Sequence, residues 1–232
     1  MTKRIVVIAA VCMWLALSCF ASDADDRAKD VKRLESAGEI IREIMNTPDK
    51  GIPEEIAGSA KCIAVVPHLI KGAFIFGGEY GQGVASCRTN QGWSAPAFFG
   101  MGGGSFGFQI GGEGIDLVMV IMNNAGMERL LHRKFKIGAD ASAAAGPVGR
   151  HAQAGTDWSL STEILTYSRA KGLFAGISLN GVVVSQNSKR IRSFYGRNVP
   201  FRTILTGQVA SPSDSAPFTG EVARYFIASK GK

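Results

Sequence analysis

From Asp26 to Met45 the residues Val31, Leu34, Gly38, Ile41 and Met45 return at steps of three and four, with Ala37 and Ile44 beside them. That spacing predicts a helix with one apolar face. Lys29, Lys32, Arg33, Glu39 and Glu43 fall on its other side. The stretch "NTPDKG" stops the helix, and "IPEEIAGSA" starts a short one with Pro53 in its first turn. After Lys61 the pattern shortens to runs of β-branched and aromatic residues punctuated by glycine: "CIAVV", "AFIFGGEY", "GVASC", "WSAPAFFGMG", "SFGFQIGG" and "IDLVMVIM". Such spacing predicts an antiparallel sheet or closed barrel with little room for crossover helices. A short helix is expected at "NAGMERLLHRKF", whose last turn would gather Arg133, Lys134 and Lys136 near the negative end of the helix dipole. A second set of strands follows at "ILTYS" and "GLFAGISLNGVVVS", and "PFRTIL" and "APFTGEVARYFIAS" read as closing helices. The fold class is therefore α+β: a glycine-rich antiparallel sheet or barrel with an N-terminal amphipathic helix and C-terminal helices.

Composition sharpens this picture at three points. The chain has 232 residues, 46% hydrophobic and 19% charged, with 29 glycines, which is globular and suited to strands and tight turns. Lys3 and Arg4 precede the apolar run "IVVIAAVCMWLALSCF" and the polar "SDADD", the layout of an export signal over residues 1–21. Residues 22–232 then form a single domain, expected in the periplasm or cell envelope. Two processing modes stay open: cleavage after Ala21, or lipidation at Cys19 with a membrane-anchored product. In an oxidising compartment Cys62 and Cys87 form an isolated pair at the edges of two β-like runs, with "AFIFGGEY" as a third run between them. Side by side, the two outer runs would bring the sulfurs into a disulfide.

The stretch "GMGGGSFGFQIGGEG", Gly100 to Gly114, spells two enzyme patterns at once. Gly102, Gly104 and Gly107 match G-x-G-x-x-G, and Gly103, Ser105 and Gly107 match G-x-S-x-G. Both need a helix to follow. Phe106, Phe108 and Ile110 instead alternate with Gly107, Gln109 and Gly111, a period of two that predicts a strand with one bare face. A serine hydrolase built from Ser105, Asp140 and His151 is the surviving enzyme alternative. His68, His132 and His151 lack metal-ligand spacing, and no G-K-[ST] follows a glycine loop, so no cofactor, metal or catalytic role is expected.

The runs "WSAPAFFGMGGGSFGFQIGG", "GADASAAAGPVGR" and "ILTYSRAKGLFAGISLNG", with the "YG" at Tyr195, resemble the SYLF-domain family, the yeast actin-patch-protein-like lipid-binding family. "TYSRAKGLFAG" is the most specific part, and similarity spans roughly Asp30 to Phe226. The resemblance implies a noncatalytic domain that binds anionic membrane lipid, phosphoinositides in eukaryotic members, with actin as a further partner in fungal ones. An exported chain would not meet actin. The family's headgroup contact, a basic amphipathic N-terminal segment, maps here onto Lys29, Lys32 and Arg33, with Lys71 after the first strand.

Charge supplies a second candidate. Residues 22–60 hold ten acids and six bases, whereas residues 141–210 hold eight bases and two acids. The basic half contains Arg150, Arg169, Lys171, Lys189, Arg190 and Arg192, three of them within "SKRIR". A cluster of this kind attracts anionic headgroups at about 1 kcal/mol per suitably placed base. The expected partner is anionic lipid rather than nucleic acid, for which no motif is present. A structural or interaction protein of the envelope is the alternative, its protein partner unknown.

Overall fold

The computed structural model describes residues 25–47, 51–74, 76–105, 111–148, 162–170, 173–177 and 179–228. The export segment, Cys19, Arg150, Lys171, His151 and the alternating run Phe106 to Ile110 lie outside them. Helix α1 covers residues 25–46, as its periodicity predicts. Leu34, Ala37, Ile40, Ile41 and Ile44 are buried along it. At Gly38 an added Cβ would stand 2.1 Å from the Pro217 carbonyl oxygen, so this glycine lets α1 touch the C-terminal helix. A short α2, Glu54–Ser59, leads into the sheet.

Strands β1 (Cys62–Phe74) and β2 (Phe76–Thr89) form one long hairpin, with the β-like run "AFIFGGEY" at its far end. Cys62 and Cys87 are consequently direct cross-strand partners, joined as a disulfide with an S–S distance of 2.02 Å. The remaining strands are β3 (Gly92–Trp93), β4 (Ala97–Ser105), β5 (Gly111–Ile121), β6 (Lys134–Lys136), β7 (Ala143–Ala145), β8 (Ile164–Ala170), β9 (Leu173–Gly176) and β10 (Val183–Gln186). They make a curled, ten-stranded half-barrel ordered β6-β10-β4-β2-β1-β5-β8-β7, with β3 on β2 and β9 on β8. Among the described strands all pairings are antiparallel except β7 with β8. Cys62 to Val66 in β1 are all fully buried, because this central strand is covered on both faces and needs no polar alternation.

Among the described residues four further α-helices follow: α3 (Asn124–Leu131), α4 (Ser188–Tyr195), α5 (Phe201–Leu205) and α6 (Ala216–Tyr225). One expectation is corrected here. Helix α3 stops at Leu131, so Lys134 and Lys136 sit in strand β6 rather than at a helix end. The basic "SKRIR", to which no element was assigned, opens α4, with Asn187 accepting the Arg190 backbone N–H at 3.1 Å and Gly196 closing the helix at φ 68°.

Candidate functional site

Gly102, Gly104 and Ser105 lie within β4, opposite Tyr80, Gly78 and Gly77 of β2, while Gly107, which both enzyme patterns need, lies outside the described residues. Asp140 accepts the Lys136 backbone N–H at 2.6 Å in a local turn. Among the described residues no cluster of His, Cys, Asp and Glu could hold a metal ion.

A groove forms where α1 passes α4 and the β1–β2 hairpin. It encloses about 440 Å³ and is lined by Lys29, Lys32, Arg33, Arg190, Ile70 and Tyr80, with Ser36, Pro67, His68, Gly81 and Gln82 filling the gaps. Its lining contains four permanent cations and no carboxylate. Two groups of bases far apart in sequence, one on α1 and one on α4, thus meet at a single surface.

Carboxylates beneath the groove hold these cations in place. Arg33 donates to Asp30 at 2.6 Å, and Arg190 lies 3.7 Å from the same oxygen and 3.1 Å from Asp26. Lys189 pairs with Asp26 at 3.3 Å, and Lys29 with Asp25 one helical turn away. Lys32 makes no ion pair among the described residues. The hydrogen bond from Lys189 and the nearby arginine hold Asp26 below the usual carboxylate range. Asp30 behaves oppositely. It is fully buried, its Oδ2 has no partner among the described residues, and desolvation outweighs Arg190 and Arg33, pushing its pKa up to about 6. Burial also lowers the pKa of Arg33, partly countered by Asp30.

The apolar part of the groove comes from a β-bulge. The registers of β1 against β2 and β5 shift between Val65 and Ile70, around Pro67 and His68. His68 takes φ 54°, unusual for a residue with a side chain, and its backbone N–H donates to Asp116 at 3.0 Å. The extra residue leaves Leu69 buried and turns Ile70 outward. Ile70 is 56% exposed beside its register partner Tyr80, 59% exposed.

Of the other sequence candidates, Lys71 follows Ile70 in β1, in register with Glu79 of β2 and Glu113 of β5. Arg169, on β8, donates to Asp116 at 2.6 and 2.9 Å and pairs with Glu43 of α1. It fastens the far end of α1 to the sheet. Arg192 is exposed on α4 outside the groove lining. Sequence reasoning missed Ile70, Tyr80, Asp26 and Asp30, because pairing and a bulge bring them together; only the acids' placement one turn from Lys29 and Arg33 was visible beforehand.

The most specific motif, "TYSRAKGLFAG", is a joint of the fold. The Thr166 hydroxyl donates to the Ala144 and Ile177 carbonyls, Arg169 stands 5.8 Å over the Phe174 ring, and a Cβ at Gly176 would meet the Gly146 carbonyl oxygen at 2.5 Å. Tyr195, the other marker, donates its hydroxyl to the Pro96 carbonyl at 2.7 Å. The profile of the Ysc84 family, described as Las17-binding protein actin regulator, matches residues 102–225, a span containing both markers. The chain belongs to the Ysc84 family. An SH3 domain-containing protein of Schizosaccharomyces pombe is 35% identical over 170 residues, 72% of this chain and 39% of that relative. The human SH3 domain-containing YSC84-like protein 1 is 32% identical over 186 residues, 77% of this chain and 54% of its own length. Protein YSC84 of Saccharomyces cerevisiae is 33% identical over 173 residues, 73% and 37% respectively. The chain therefore spans at most about half of these relatives, whose family is named for binding and regulation rather than catalysis. Arg190 lies inside the span that defines the Ysc84 family, and α1 lies before it.

Proposed function

We propose that this Ysc84-family chain is a noncatalytic domain that binds anionic membrane lipid, taking the headgroup between α1 and α4. The observation that carries this reading is the convergence of Lys29, Lys32, Arg33 and Arg190 around one open groove whose wall also exposes Ile70 and Tyr80. Fixed cations attract a phosphate-bearing surface, and the two apolar side chains suit the boundary between headgroups and hydrocarbon. An exported location belongs to the same proposal, since the Cys62–Cys87 disulfide fits an oxidising compartment. Exported, the domain would sit against the envelope face of a membrane and would have no actin to regulate.

Cosedimentation with phosphatidylglycerol vesicles, against phosphatidylcholine vesicles across a salt series, tests it. Binding should be specific to the anionic vesicles and weaken with salt. Lys29→Ala with Lys32→Ala should weaken it about 30-fold, from about 1 kcal/mol per removed cation, while Lys134→Ala leaves it unchanged. Equal retention on both vesicle types, or none on the anionic ones at low salt, would sink the reading. The second reading, a protein-binding module, rests on the relatives named LAS seventeen-binding protein 3 in yeast.

A further inference from the structure

The strand registers place glycine in a continuous row across four neighbouring strands. Gly104 of β4 pairs with Gly78 of β2, and Gly72 of β1 pairs with both Gly78 and Gly112 of β5. Two residues away along each strand on the groove side, on the same face, lies the row Gly102, Tyr80, Ile70, Gly114. Two residues away on the other side, Phe76 pairs with Phe74. Because alternate residues share a face, these rows stand on the face that carries the groove. The cationic groove thus continues, past Ile70 and Tyr80, into a strip of sheet without side chains, about 14 Å long across three strand spacings of about 4.8 Å. Among the described residues nothing lies within 4 Å of the Cβ position at Gly114, at one end of the Ile70 row.

Four glycines in one row weaken each strand, since glycine gives up more chain entropy than any other residue and packs nothing. Bare backbone of this kind marks a place where something else comes close. The charge beside it decides the class of occupant: an anionic group held by Lys29, Lys32, Arg33 and Arg190 must carry an apolar portion to use the surface next to Ile70 and Tyr80. We propose that the glycine row seats one acyl chain of an anionic amphiphile whose headgroup occupies the cationic groove. This rests on the lipid reading above and adds to it. The domain holds hydrocarbon itself and does not only touch a charged surface.

The probes are glycerol 3-phosphate, which has the headgroup alone, and palmitoyl lysophosphatidylglycerol below its micelle concentration. The expected result is that the wild-type chain binds the lysolipid at least ten-fold more tightly. Gly72→Val with Gly78→Val should abolish that gain and leave glycerol 3-phosphate binding in place, since valine suits a strand but fills the row. Equal affinities of the wild type for both probes, or an unchanged gain in the double variant, overturn the acyl seat while the headgroup reading stands. Binding of neither probe overturns both. A second measurement needs no variant: 5-doxyl-stearate added to wild-type protein should broaden the backbone amide signals of Gly72, Gly78, Gly104 and Gly112. Broadening confined to other parts of the sheet, or a concentration-dependent dimer that buries these amides, overturns the proposal in favour of a different site or a second copy of the chain.

Discussion

Asp30 allows the charge balance of the groove to be tested without any ligand. Its carboxyl is fully buried between Arg33, at 2.6 Å, and Arg190, at 3.7 Å, with Asp26 as the other acid nearby on α1. Desolvation raises its pKa from 3.8 to about 6 despite the two arginines. The gap is worth about 3 kcal/mol between the protonation states. Because the folded value is the higher one, the folded protein holds more protons than the unfolded chain between these two pH values. Stability from this group is therefore full below pH 3.8, falls as pH rises through about 6, and is flat above. Asp30→Asn has no such slope. The unfolding free energy of the variant minus that of the wild type should climb by about 3 kcal/mol between pH 3.8 and pH 7.5. The lowered carboxylates Asp26 and Glu128 contribute slopes of the opposite sign in both proteins and largely cancel in the difference. Urea unfolding at four pH values in that interval measures it. A difference that stays flat within extrapolation error would refute the account of Asp30 as a desolvated carboxyl. Under the proposed function, wild-type binding to anionic vesicles should also strengthen below pH 6, and binding by Asp30→Asn should not.

Removing the Cys62–Cys87 crosslink, whose partners are 25 residues apart, should cost about 3.5 kcal/mol of stability by the loop-closure relation; urea unfolding with and without a reductant measures this. Arg169→Ala strands the buried Asp116 carboxylate and should destabilise by about 3 kcal/mol, with partial recovery when Asp116→Asn is added; the same unfolding assay reads both. Gly176→Ala drives a methyl against the Gly146 carbonyl and should cost about 1 to 3 kcal/mol, whereas Gly114→Ala, with no neighbour within 4 Å among the described residues, should be close to neutral in thermal unfolding.

Periodicity made α1, α2 and most of the strands legible, because each buries one regular face or, in β1, both. Hairpin geometry was harder to read. "AFIFGGEY" is a β-like run in local composition, yet the chain reverses within it, and only the pairing of Phe74 with Phe76 reveals this. Helix α4 was hidden for a different reason: "SKRIR" has few apolar residues, and its helical state depends on the Asn187 cap and on burying Ile191 and Phe194. The parallel pairing of β7 with β8 follows from a tertiary return of the chain that no local pattern encodes. The family markers were visible as unusual strings. Their roles in joining β7, β8, β9 and α1 emerge only when the Thr166, Arg169 and Gly176 contacts are known.

Net charge along a segment is a poor guide to the charge of a surface, and α1 shows why. Residues 22–60 carry four more acids than bases, which by itself argues against anion binding there. The fold separates the two signs. Asp26 and Asp30 turn toward α4 and Arg33, where they are nearly or fully buried, whereas Glu54 and Glu55 lie on α2, at a cavity bounded by Met45, Arg224 and Tyr225. The groove is left with Lys29, Lys32, Arg33 and Arg190 on its lining. Two of the acids that make the segment negative are thus the groups that fix its cations in position. A charge count restricted to one helical face, with the α4 bases added, would have reversed the sign of the sequence argument.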